Sequence, residues 1–146
     1  MPTFHKGDMM SVFDQVDHFI VLCASQVRSD GSATMLDDAA GQLAAKYPEL
    51  PAAIGQWLTS LGVQVHNYSL RCQTKVGLFQ HVIIHRHGTN LGCVSAATKA
   101  LRDLAVANPD KTFALDAPGK NDPWFMVKDL MLVLPDNVQL WNSSRE

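Results

Sequence analysis

Val16-Asp17-His18-Phe19-Ile20-Val21-Leu22-Cys23-Ala24 is the stretch on which the fold turns. From Phe19 to Ala24 the run offers no polar face to water, the pattern of a strand buried on both sides of a sheet, so it is expected to be a central strand. Working outward, Ser25 to Thr34 is rich in Ser, Asp and Gly, with Asp30-Gly31 as a turn signal. Met35 to Tyr47 then carries Ala and Leu at helical spacing until Pro48 stops it. Strand, polar loop and helix follow one another.

The same alternation continues downstream. Ile54, Trp57, Leu58 and Leu61 fall at i, i+3, i+4 and i+7 and predict a second, short helix ended by Gly62. Val63 to Leu70 and Lys75 to Ile84 read as two strands, with Gln73-Thr74 as a candidate hairpin turn. Cys93 to Val106 is the clearest helix, with Val94, Ala97, Leu101, Leu104 and Ala105 on one face and Asn108-Pro109 ending it. Lys111 to Leu115 predicts a short strand, Asp116 to Pro123 a loop, Trp124 to Leu134 a helix and Asn137 to Trp141 a last strand. This order predicts a three-layer α/β/α sandwich around a mixed, largely parallel sheet, with ligands at the carboxyl ends of the strands.

Composition narrows the function classes. At 146 residues, 47% hydrophobic and 18% charged, residues 1–146 are expected to form a single domain with its own core. Twelve basic against fourteen acidic side chains, with no Lys/Arg run, argue against a nucleic-acid partner. The longest apolar stretch, Phe19 to Ala24, is far short of the roughly 20 residues that span a bilayer, and no signal-peptide layout opens the chain. A cytoplasmic protein without a membrane partner is expected. Cys23, Cys72 and Cys93 show no metal-type spacing, and Cys23, inside an apolar run, reads as a buried structural thiol.

A series of short segments runs along the chain in a fixed order: Gly7-Asp8-Met9, the buried strand leading to Asp30-Gly31-Ser32-Ala33-Thr34-Met35, and Lys46-Tyr47-Pro48-Glu49-Leu50. It continues through Leu78-Phe79, Ala107-Asn108-Pro109-Asp110-Lys111-Thr112-Phe113-Ala114-Leu115, Ala117-Pro118-Gly119 and Leu134-Pro135-Asp136-Asn137-Val138. In this order and spacing the segments resemble the macrodomains, a family that binds ADP-ribose, and among them the small divergent bacterial and phage branch. The resemblance implies a nucleotide laid across the strand ends, with Asp8 accepting from the adenine amino group and Met9 and Met35 contributing mainly backbone. From the residues alone, Asp8 reads equally as a turn residue bonding its own backbone.

Two loops depart from the family pattern. Where members usually carry Met-Gly-x-Gly, so that backbone N–H groups approach phosphate at a helix start, this chain has Met35-Leu36-Asp37-Asp38. Two carboxylates within several Å of a phosphate cost on the order of 1 kcal/mol or more each. Alternatively, Asp37 and Asp38 are favourable first-turn residues that cap the helix and offset its dipole. Ser25 stands where the family commonly has an Asn that assists hydrolysis; a hydroxyl lacks the paired donor and acceptor of an amide. The second loop, Pro118-Gly119-Lys120-Asn121-Asp122, keeps one glycine and the Asn, and Lys120 could face the phosphates as a mobile point charge or be solvated.

Trp141, ending the last strand, is expected either to stack on adenine or to be buried under the final helix. His81, His85 and His87 share a strand face, but His81 and His87 would lie roughly 20 Å apart along a straight strand. Only His85 and His87 could share an ion, and they lack a nearby third ligand, so no metal site is expected; no cofactor is expected either. The sequence thus carries two readings. One is a module that binds, or weakly hydrolyses, ADP-ribose or a related nucleotide through Asp8, Met9, Ser25, Met35, Asp37, Gly119, Lys120, Asn121 and Trp141. The other is a macrodomain-like scaffold that has lost ADP-ribose binding and serves another ligand or a protein partner. No G-x-S-x-G elbow supports a serine hydrolase.

Overall fold

The computed structural model describes residues 1–24, 29–33, 38–61, 72–73, 76–82, 91–116 and 129–142. The apolar run forms β2, His18–Ala24, in the interior of a six-stranded sheet. On one side it pairs with β4, Val76–Val82, and on the other with β5, Phe113–Asp116, parallel to both. Beyond β5 lie β6, Val138–Asn142, and β1, Thr3–Lys6, again parallel; beyond β4 lies the short antiparallel β3, Cys72–Gln73. The sheet order is β1-β6-β5-β2-β4-β3. β3 and β4 are antiparallel, as the expected hairpin requires, but Gln73, expected in its turn, is a β3 residue paired with Val76; residues 62–71, with the expected strand Val63 to Leu70, and 74–75 lie outside the described set.

Alternation along the strands feeds two cores, one per face. Phe19 and Val21 of β2, Ala114 of β5 and Trp141 of β6 face Met9, Phe13, Ala39, Ala40, Leu43 and Ile54. Ile20, Phe113, Leu115, Val138 and Leu140 face the other way, onto Val94, Ala97, Leu101, Ala105, Met131 and Leu134. The first face is covered by α1, Asp38–Lys46, and α2, Leu50–Leu61; the second by α3, Leu91–Ala107. This is the three-layer sandwich. Among the described residues no helix is long and apolar enough to cross a membrane.

Several elements differ in extent from the sequence reading: β2 starts at His18, α3 at Leu91 and β5 at Phe113, and of the expected last helix the described residues show 129–131. α2 starts at Leu50, before Ile54, because Pro51 in its first turn gives up no intrahelical N–H. Asp116, expected in a loop, is the last residue of β5 and is buried. β1 was not legible: its residues are mostly exposed, and it forms because its backbone pairs with β6 from Thr3↔Gln139 to Lys6↔Asn142.

At the sheet's opposite end one side chain ties three elements together. The Asn137 amide donates to the carbonyls of Ala105 (3.1 Å), Asn108 (3.1 Å) and Lys111 (3.0 Å), while Asn108 Nδ2 donates to Leu104 O at 2.9 Å. Carbonyls in the last turn of a helix have no intrahelical partner, so these amides close the end of α3. Asn137→Ala should cost about 2 kcal/mol, lowering Tm by roughly 4–8 °C. Thermal melts against the exposed neighbour variant Asp136→Ala check this.

Candidate functional site

The connections define where a ligand fits. From β2 the chain crosses the first face through α1 and α2 to reach β4; from β4 it crosses the second face through α3 to β5, on the other side of β2. Of the connection between β5 and β6, Met131 and Leu134 pack on the second face. The β2–β4 and β5–β6 connections thus pack on opposite faces, the topology that puts a crevice at the carboxyl ends of the adjacent strands β2 and β5. The segment bearing Ser25, Met35 and Asp37 follows β2, and the segment bearing Gly119, Lys120 and Asn121 follows β5. Both start at this crevice. These six residues themselves lie outside the described set.

Asp8 follows β1 on the same edge of the sheet. It caps the 3₁₀ turn Met9–Val12, its Oδ1 accepting from Met10 N at 3.0 Å, while Ser11 Oγ donates to the Asp8 carbonyl at 2.7 Å. Its side chain is exposed and Oδ2 has no partner among the described residues. The turn role is thus met by one oxygen, leaving the other for solvent or a ligand. Met9 is 1% exposed and packs in the first core, so its side chain is committed to the fold.

Trp141 is buried, and on the face opposite Met131 and Leu134: it does not lie under the final helix. Strand parity decides this, since Leu140 takes the second face. Its indole N–H donates to Gln139 Oε1 at 2.9 Å, and one ring face is stacked on His5 at 4.8 Å and 15°. His5, in register with Trp141, is half-buried and has Nε2 2.8 Å from Thr3 Oγ1. The more accessible ring of the pair is therefore His5. Asp116 is in register with Trp141 on its other flank and is 2% exposed. Sequence reading missed both His5 and Asp116. The signal for Asp116 was an acidic residue directly after Phe113-Ala114-Leu115; for His5 there was none, because β1 itself was unread.

Of the remaining candidates, Asp38 is the first residue of α1, directly after Asp37 in sequence. His81 lies in β4, its side chain outside the described set, as are His85 and His87. Among the described residues no three His, Cys, Asp or Glu come together as metal ligands. His18, at the start of β2 and so at the far end of the sheet, stacks on Phe113 at 4.6 Å. Burial holds its imidazole below the usual range, with Asp17 opposing the shift and Lys111 adding to it. Burial likewise pushes up the Cys93 thiol in α3, away from the reactive range.

No family model matches the sequence, and no curated protein matches it. Solved structures do match. The macrodomain of Thermus aquaticus DarG aligns over 99% of both chains at a TM-score of 0.73 and 18% identity. The macrodomain of Mycobacterium tuberculosis DarG aligns over 99% of both at 0.71 and 16%. Thermosipho africanus DarTG in complex with ADP-ribose aligns over 99% of this chain and 43% of that one, at 0.71 and 14%. The chain has the macrodomain fold.

Proposed function

We propose that this chain binds ADP-ribose or a closely related nucleotide across the carboxyl ends of β1, β6, β5 and β2. The observation that carries the reading is the alignment of Asp8 with the β2–β5 crevice along one sheet edge. Three strand spacings separate β1 from β2, roughly 14 Å, a span that suits an extended dinucleotide-like ligand and exceeds a lone base or phosphate. A structure with the same fold, that of Thermosipho africanus DarTG, holds ADP-ribose.

In this reading Asp8 Oδ2 accepts from the adenine amino group while Oδ1 keeps the cap. The His5–Trp141 pair supplies a stacking surface beside it, and backbone N–H groups around Met35 and Gly119, with Lys120, hold the diphosphate. Ser25 and Asp37 flank the distal part of the ligand. Binding is proposed; no residue is assigned a hydrolytic role, because Ser25 lacks the donor-acceptor pair of an amide.

Isothermal titration and thermal shift with ADP-ribose test this. Occupancy of even a weak site must stabilise the fold by mass action, so neither heat nor shift at millimolar ligand would sink the proposal. Asp8→Asn is the informative variant, since Asn caps as well as Asp. Its amide oxygen stays with Met10 N and the carboxylate is lost. A charge-assisted bond of about 1.5–3 kcal/mol disappears, so affinity should fall at least tenfold with Tm unchanged.

A second reading is favoured by one feature. α1 begins at Asp38, and Asp37 precedes it in the sequence, so two successive acidic residues fall at the helix start that a diphosphate would use. A scaffold that has lost ADP-ribose binding and takes another ligand or a protein would show this. The titration separates the two.

A further inference from the structure

The middle of the β2–α1 connection is seated on α2, a helix outside that connection. Gly31 has φ +86°, a conformation that favours glycine, and Asp30 Oδ1 accepts from both Ser32 N (3.0 Å) and Ser32 Oγ (2.6 Å). The next residue, Ala33, is 1% exposed, and its N–H donates to Pro51 O, in the first turn of α2, at 2.8 Å. One helical turn on, Gly55 lets the turn come closer still. A Cβ there would overlap the Gly31 carbonyl oxygen and stand 2.7 Å from Ser32 Cα. Both of those are backbone, so no side-chain rotation relieves the overlap. On either side of this clamped turn run residues 25–28 and 34–37, which hold Ser25, Met35 and Asp37.

We infer that Gly55 is a positioning residue for the nucleotide site: its bare backbone seats the Gly31–Ala33 turn on α2 and thereby fixes the connection that carries one side of the crevice. The inference rests on the proposed ADP-ribose reading. Its reason is geometric. A ligand held by backbone N–H groups needs them placed to within a fraction of an ångström, and among the described residues of the β2–α1 connection the Ala33–Pro51 bond and the Gly55 seat join it to α2. Gly55 touches no ligand; it acts through the turn.

The test compares the parent with Gly55→Ala and with Leu101→Ala, which weakens the opposite layer without touching the turn. For Gly55→Ala we expect at least tenfold faster hydrogen exchange at the Ala33 amide, unchanged exchange in β2 and β5, and at least tenfold weaker binding of ADP-ribose. Leu101→Ala should lose stability yet bind as the parent does, at a temperature where both are folded. If Gly55→Ala binds as tightly as the parent, or keeps the Ala33 amide protected, the seat is not what positions the site and the inference fails. If the parent itself does not bind millimolar ADP-ribose, the functional reading has failed first. Should Gly55→Ala not fold, Gly31→Ala strains the same turn from the other side and leaves α2 intact. Parent-like affinity in that variant, with Ala33 exchanging fast, overturns the inference equally.

Discussion

Leu101→Asp should leave no cooperatively folding protein. Leu101 is 0% exposed, in the middle of the face that α3 lays on the sheet, among Ile20, Val94, Ala97, Phe113 and Leu115. A carboxylate there has to be buried without an ion partner or to expel α3 from the second layer. Either cost is of the same order as the whole stability of a domain this size, about 5–15 kcal/mol. Truncation to Leu101→Ala removes only methyl and methylene groups and should cost about 3 kcal/mol, lowering Tm by roughly 6–12 °C. Ser95→Asp, on the exposed face of the same helix, should stay within about 0.5 kcal/mol of the parent. Circular dichroism melts of the three variants check the register. A folded Leu101→Asp protein with the parent's melting temperature would show that α3 is not docked through this face.

The double variant Leu36→Gly with Asp38→Gly should bind ADP-ribose at least tenfold more tightly than the parent. α1 begins at Asp38, so the N–H groups that could receive a phosphate belong to the same first turn as that carboxylate. On the proposed reading, a side chain at 36 would keep the backbone from close approach, and a carboxylate at 38 would repel the ligand and compete for the helix dipole. Removing both takes away a repulsion on the order of 1 kcal/mol or more, and 1.4 kcal/mol is a factor of about ten in affinity. The same exchange weakens the helix start by roughly 1 kcal/mol, so affinities must be compared on protein shown to be folded. Lys120→Ala should move affinity the other way. If the double glycine variant folds and binds no better than the parent, the carboxylates are not the obstacle, and the scaffold with a different ligand becomes the better account.

What the sequence determined by itself was the layering. Phe19 to Ala24 has no polar face, and Val94, Ala97 and Leu101 share one helical face; each tendency to leave water is a property of a local window and is readable there. The alternation of such windows was enough to specify helices on both sides of a largely parallel sheet, and the order of quoted segments was enough for the macrodomain likeness. What only the tertiary structure decided were the relations between windows. β1 carries no apolar alternation, and pairing with β6 alone makes it a strand and puts His5 on Trp141. The side of the sheet that Trp141 takes follows from the parity of β6, and the burial of Asp116 from the strands beside it. Nothing in the local sequence singles out Gly55; that a Cβ there would meet the Gly31 carbonyl appears only in the fold. Desolvation is encoded residue by residue, whereas strand neighbours and close backbone approaches depend on segments remote in the chain, and no local pattern records them.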